Sequence, residues 1–170
     1  SYATSYIPNF GNSAGATRSA DACTGAGNDQ VINSTEGVLY AEISALSSGS
    51  YKAISLSNNS NSNVVSLLYR LITNEMWMQV RSDGTETNIK IYDVNQLQNN
   101  KIAIKFSEND FALWVNGVEK GTNNIGLTPT ALSTLKFSRG DGLENFYGNT
   151  KDIRVYNTAL TDAELQALTK

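Results

Sequence analysis

Two tryptophans, Trp77 and Trp114, stand in strand-like stretches rich in arginine, lysine, glutamine and asparagine. An exposed indole can stack on the apolar face of a pyranose while such neighbours hydrogen-bond its hydroxyls. Groups that commonly catalyse reactions are sparser. The chain has no histidine, so the usual general base and the usual zinc ligand are both missing. Its single cysteine, Cys23, excludes an intrachain disulfide and reads as a small buried apolar residue. Close carboxylates occur at Glu108/Asp110 and Asp83/Glu86, and each pair flanks a turn, where solvation is the ordinary fate.

The elements that must position the tryptophans follow from hydrophobic period. In Lys101–Gly121, Ile102, Ile104 and Phe106 alternate with Lys101, Ala103 and Lys105, and Phe111, Leu113 and Val115 repeat the alternation. A two-residue loop at Glu108-Asn109 pairs Phe106 with Phe111, Ile104 with Leu113, Ile102 with Val115 and Ala103 with Trp114. A slip of one residue would destroy this agreement. Asn116-Gly117 then closes a second hairpin, since both residues tolerate the positive φ of a type I′ turn.

The same logic applies to Asn63–Ile72, Glu75–Ser82 and Thr85–Tyr92, joined at Thr73-Asn74 and Asp83-Gly84. Two-residue loops at both places gather Leu67, Tyr69, Leu71, Met76, Met78, Val80, Ile89 and Ile91 on one face. The other face carries the rows Arg70–Trp77–Lys90, Leu68–Gln79–Asn88 and Ser66–Arg81–Glu86. Trp77 thus has Arg70, Gln79, Asn88 and Lys90 around it. These cations either frame a ligand stacked on the indole or cover the indole themselves as cation–π partners. Trp114 opposite Ala103 is a second platform, or is covered by another part of the structure.

Elsewhere, Gly37–Leu46 alternates with Leu39, Ala41, Ile43 and Ala45 on one side, and Tyr51–Ser57 is a strand before the polar loop 58–63. Further strands are expected through Leu132, Leu135 and Phe137, and through Ile153 and Val155. Thr161 with Glu164 makes a capping box, and Leu160 with Leu165 a hydrophobic staple, so a short helix should run from Asp162 to near Leu168. Residues 1–35 read as an irregular N-terminal segment, with SYATSYIPNF a candidate edge strand. Short strands, close turns and one terminal helix imply an all-β sandwich of two antiparallel sheets.

At 170 residues the chain reads as a single domain, large enough for a core without staples. Apolar content of 40% with 17% charge is that of a globular domain. A net charge of −3 without a basic cluster argues against nucleic acid, and no apolar run approaches the roughly 20 residues of a membrane span. The abrupt start reads as a fragment of a longer chain with neighbouring domains.

The ending FYGNTKDIRVYNTALTDAELQAL resembles the closing strand and helix of laminin-G-like, concanavalin A-like domains, and FALWVNGVEKG resembles a hairpin of the same group. The opening SYATSYIPNFG…ATRSADAC resembles the segment preceding such domains in phage tail or virion proteins and some bacterial surface proteins. The resemblance implies a jelly-roll sandwich with one concave face. Fold alone does not decide function, because the group includes lectins, glycan hydrolases, lyases and structural modules. Its glucanases use a closely spaced carboxylate triplet, E-x-D-x-E or a near variant, which this chain lacks. The implied function is a non-catalytic glycan-binding or adhesion module of a phage tail fibre or virion appendage. Alternatives are an accessory module of a secreted bacterial protein or polysaccharide-degrading enzyme, and a structural virion decoration domain. The expected partner is a polysaccharide or cell-surface glycan, at an extracellular or virion surface. Calcium is common in the group, and Asp21, Asp29, Asp141 and Glu144 are the candidate oxygen ligands, although no loop supplies six oxygens in sequence. Arg139-Gly140-Asp141 reads as a glycine-bracketed turn.

Overall fold

The computed structural model describes residues 28–72 and 74–170. Cys23, Asp21 and the expected edge strand in SYATSYIPNF lie outside them. Ten strands follow in chain order: β1 (Glu36–Ala45), β2 (Lys52–Ser57), β3 (Val64–Tyr69), β4 (Met76–Ser82), β5 (Thr85–Ile91), β6 (Asn100–Ser107), β7 (Asp110–Val115), β8 (Val118–Asn123), β9 (Thr134–Lys136) and β10 (Gly148–Tyr156). The helix α1 (Asp162–Thr169) closes the chain. The strands form two five-stranded sheets, ordered β10-β1-β6-β7-β8 and β5-β4-β3-β2-β9. Every strand pair is antiparallel. Among the described residues, no helix is long and apolar enough to cross a membrane.

The sheets are sandwiched because each strand has an apolar inner row. Leu39, Ala41, Ile43, Ile54, Leu56, Val65, Leu67, Met78, Ile102, Ile104, Phe106 and Phe111 all belong to the central core. Fully burying one such large side chain stabilises the fold by about 1.5–3 kcal/mol. The β6–β7 hairpin has the predicted register at every position, from Phe106–Phe111 to Ile102–Val115. Asn116 and Gly117 both take positive φ, at 50° and 80°. Asp83 and Gly84 do the same, at 47° and 85°, which places Trp77 opposite Lys90, Gln79 opposite Asn88 and Arg81 opposite Glu86 as expected.

The β3–β4 register differs from the expectation by two residues. Trp77 pairs with Leu68, not Arg70, and Gln79 pairs with Ser66, not Leu68. β3 ends at Tyr69, the Arg70 N–H donates to the Glu75 carbonyl at 3.1 Å, and the Glu75 N–H donates to the Ile72 carbonyl at 3.0 Å across the turn. The cause is tertiary. The Gln96 amide, from the loop after β5, donates to the carbonyls of Arg70, Ile72 and Glu75 and holds the wider connection. Leu71, expected in the core, is consequently 49% exposed. A shift of two keeps the parity of the strand, so the inner and outer faces stay as predicted. The β9 pairing is also shorter than its sequence pattern, limited to Ser57–Thr134, Leu56–Leu135 and Ser55–Lys136.

The helix has its predicted cap. The Glu164 N–H donates to Thr161 Oγ1, and the Thr161 N–H donates to the Glu164 carboxylate at 2.8 Å. Leu160 and Leu165 both join a second apolar cluster, between α1 and the outer face of the first sheet.

Candidate functional site

On β3, β4 and β5, side chains alternate between the core and the outer face of the second sheet. The outward ones form three cross-strand rows: Leu68–Trp77–Lys90, Ser66–Gln79–Asn88 and Val64–Arg81–Glu86. The corrected register replaces a leucine with Ser66 in the middle row, which is therefore polar across all three strands. Neighbours within a row stand about 4.8 Å apart, and successive rows about 6.7 Å apart along the strand.

The middle row has unmet hydrogen-bonding capacity. Ser66 Oγ, Gln79 Oε1 and Asn88 Oδ1 are buried oxygens without a hydrogen-bond partner. Ser66 is fully buried, Gln79 is 5% exposed and Asn88 is half-buried. A buried polar group left unpaired costs about 1–3 kcal/mol, so native structures rarely hold several side by side. Asn61, in the loop before β3, adds a fourth such oxygen, and its carbonyl accepts from Arg81 at 3.4 Å.

The Trp77 row is arranged differently from a bare stacking platform. Arg70 and Lys90 each lie 3.9 Å from the centre of the indole, and Arg70 also lies 4.3 Å from that of Tyr51. Lys90 comes from β5 and Arg70 from the end of β3, so the cations reach Trp77 from opposite sides of β4. Trp77 Nε1 donates to Glu75 at 2.7 Å. The indole is thus held by three charged neighbours and serves as a support for the cations above it. Glu75, two residues before Trp77 on the same strand face, is the partner that sequence reading missed. The i, i+2 spacing was its signal.

In the third row, Arg81 and Glu86 form a 2.7 Å ion pair, and Asn88 also donates to Glu86. Burial pushes the Glu86 carboxyl up, but the hydrogen bonds from Asn88 and Arg81 outweigh it and hold the group below its usual range.

The remaining candidates lie elsewhere. Trp114 is 6% exposed, packed with Val38, Tyr40, Ala103 and Ala112 in the cluster beneath α1. The alternative in which another element covers it is the one realised, and its ring has no open face for a ligand. Asp141 and Glu144 do converge, but on a guanidinium: Arg139 donates to Asp141 at 2.7 Å and to Glu144 at 2.7 Å. Hydrogen bonds from Arg139 hold the Asp141 carboxyl below its usual range. A divalent cation there would have to displace that guanidinium. The segment makes the expected turn, with the Gly142 N–H donating to the Arg139 carbonyl and Gly142 at φ +85°. Asp29 stands in the turn before Ile32, remote in sequence from that pair, and no group of three potential metal ligands gathers among the described residues.

The rim loop 58–63 largely satisfies itself. Asn58 Oδ1 accepts from the Ser60 backbone and hydroxyl, and Asn63 bonds Asp83 and the Thr130 N–H. Among the described residues, three of the six unpartnered buried side-chain oxygens lie on the outer face of the second sheet; the others belong to Asn61 at its margin, Tyr69 and Gln96.

A family model described as the concanavalin A-like lectin/glucanases superfamily matches residues 23–166. No curated protein matches the chain in sequence. Among solved structures, the CBM40 of the Ruminococcus gnavus IT-sialidase bound to α2,3-sialyllactose superposes with a TM-score of 0.68 at 18% identity, covering 81% of this chain and 84% of that one. Domain 4 of AbnA, a GH43 extracellular arabinanase from Geobacillus stearothermophilus, in complex with arabinotriose, gives 0.68 at 14% identity, covering 82% and 68%. Mouse laminin α1 domains LG4-5 give 0.57 at 10% identity, covering 81% and 40%. These likenesses are of fold.

Proposed function

Because the chain belongs to the concanavalin A-like lectin/glucanases superfamily, we propose that it is a non-catalytic glycan-binding or adhesion module whose ligand lies on the outer face of β3, β4 and β5. The observation that carries this reading is the row of unpartnered oxygens at Ser66, Gln79 and Asn88. A saccharide is dense in hydroxyl donors, and outward rotation of the Gln79 and Asn88 amides would bring their acceptors to it, with the buried Ser66 behind them. Trp77 holds Arg70 and Lys90 beside that row, so these three share one face with Gln79 and Asn88, while Trp114 lies on the other sheet.

The absence of turnover is part of the proposal, and carboxylate chemistry supports it. A glycosidase acid needs a carboxyl whose pKa is raised toward neutrality. The described carboxyls with a resolved shift, Glu42, Glu86, Asp141 and Glu164, all move downward. The setting we propose is a phage tail fibre or other virion appendage, supported by the character of the opening segment. A second reading, an accessory module of a secreted bacterial enzyme, is favoured by the similar domains of the IT-sialidase and the arabinanase.

The test is a glycan array probed with the isolated chain and with Trp77→Ala. Binding of a defined glycan class that Trp77→Ala weakens, in a variant that still unfolds cooperatively, supports the reading. Unchanged binding by the variant places the ligand elsewhere, and cleavage of any bound glycan overturns the non-catalytic assignment.

A further inference from the structure

We infer that the sugar taken by this face is acidic, with its carboxylate on Arg70 or Lys90 and its hydroxyls toward Gln79 and Asn88. The inference rests on the glycan-binding reading above and adds the ligand's charge.

The grounds are electrostatic. The chain carries net charge −3, and six of its twelve described lysines and arginines pair with a carboxylate. Arg81 pairs with Glu86, Lys105 with Asp110, Lys120 with Asp93, Arg139 with Asp141 and Glu144, Lys151 with Glu42 and Arg154 with Asp152. Arg70 and Lys90 are two of the six that do not, and they alone of these share an aromatic ring. Both sit over the same indole, and neither pairs with a carboxylate among the described residues. The acids nearest in sequence are otherwise engaged: Glu75 accepts from Trp77 Nε1, Glu86 from Arg81 and Asn88, and Asp93 from Lys120. A strip of uncompensated positive charge thus lies one row from the uncompensated acceptors.

The two deficits are complementary in kind. The cations want an anionic acceptor, and the row wants hydroxyl donors. A neutral sugar supplies only the second, and an inorganic anion only the first. A uronic or sialic acid carries both on one ring. Stacking on Trp77 holds each head group 3.9 Å from the centre of the indole, so little side-chain freedom is lost when a carboxylate arrives. Charge-assisted bonds from Arg and Lys to a carboxylate are also roughly twice as strong as neutral ones.

Calorimetric titration of the whole chain with matched acidic and neutral ligands tests this. The pairs are trigalacturonate against its methyl ester, and 3′-sialyllactose against lactose, so that the uronate and sialate arms are separate. Expected is a preference of about tenfold or more for one acidic member, weakening with added salt. Arg70→Gln and Lys90→Met should each lower affinity for the acidic member several-fold more than affinity for its neutral partner. Gln79→Ala should weaken both members alike, which reports on the glycan reading alone. If acidic and neutral partners bind equally, or the preference survives in both cation variants, the inference falls and the glycan reading stands. If no member of either pair binds, and a glycan array is also blank, both fall.

Discussion

Trp114 and Trp77 occupy equivalent situations on the outer faces of the two sheets, yet their surroundings are opposite. Trp114 is roofed by α1, packs against Ala103, Ala112 and Leu165, and leaves Nε1 without a partner. Trp77 is half-exposed, has Nε1 bonded to Glu75, and supports two cations. One face has become a second core, in which apolar packing outweighs an unpaired N–H. The other has kept its indole satisfied and left three neighbouring oxygens unpaired. Burial without polar satisfaction on the second sheet is costly for stability.

The largest effect that separates the faces is expected at Trp114. Trp114→Ala should destabilise the domain by about 3–5 kcal/mol, as truncation of a core tryptophan does, and chemical denaturation would show it. Trp114→Phe should cost much less, because the N–H it removes has no partner. A small loss in Trp114→Ala would mean that α1 does not pack as described.

Trp77→Ala is expected to weaken glycan binding by about 1–3 kcal/mol while reducing stability by less than Trp114→Ala. Paired measurements of denaturation midpoint and affinity would check this. Equal destabilisation by the two alanine variants would erase the contrast between the faces.

The roof itself depends on its cap. Thr161→Ala should cost about 0.5–2 kcal/mol without altering binding on the opposite sheet. The hydrogen bonds from Thr161 hold the Glu164 carboxyl below its ordinary value in the folded state. Its contribution is therefore fully present above the unfolded glutamate pKa and is lost as pH falls through the depressed folded one. Midpoints of wild type and Thr161→Ala should converge as acid protonates Glu164.

The smallest stability effect belongs to Ser66. Removing a buried hydroxyl that has no partner should leave the midpoint unchanged to within about 0.5 kcal/mol, or raise it slightly. A clear loss would show that Ser66 Oγ is satisfied within the fold, and the acceptor row would lose its meaning.

Strand identity, the parity of each face, the β6–β7 and β4–β5 registers and the helix cap were all legible in sequence. Each is settled by neighbours a few residues apart: apolar alternation, the positive φ of Asp83-Gly84 and Asn116-Gly117, and the Thr161–Glu164 spacing. The β3–β4 register was not legible. Gln96 reaches it from more than 20 positions away, and the hydrogen bonds it makes select a four-residue turn over a two-residue one. That choice put Ser66 rather than Leu68 beside Gln79, and so made the polar row. The fates of the tryptophans were decided in the same way. Alternation alone assigns both to outer faces, but only the packing of α1 buries Trp114. Only the convergence of β3 and β5 on β4 sets Arg70 and Lys90 over Trp77. Local periodicity determines which way a side chain points; what it meets there depends on elements the local chain does not contain.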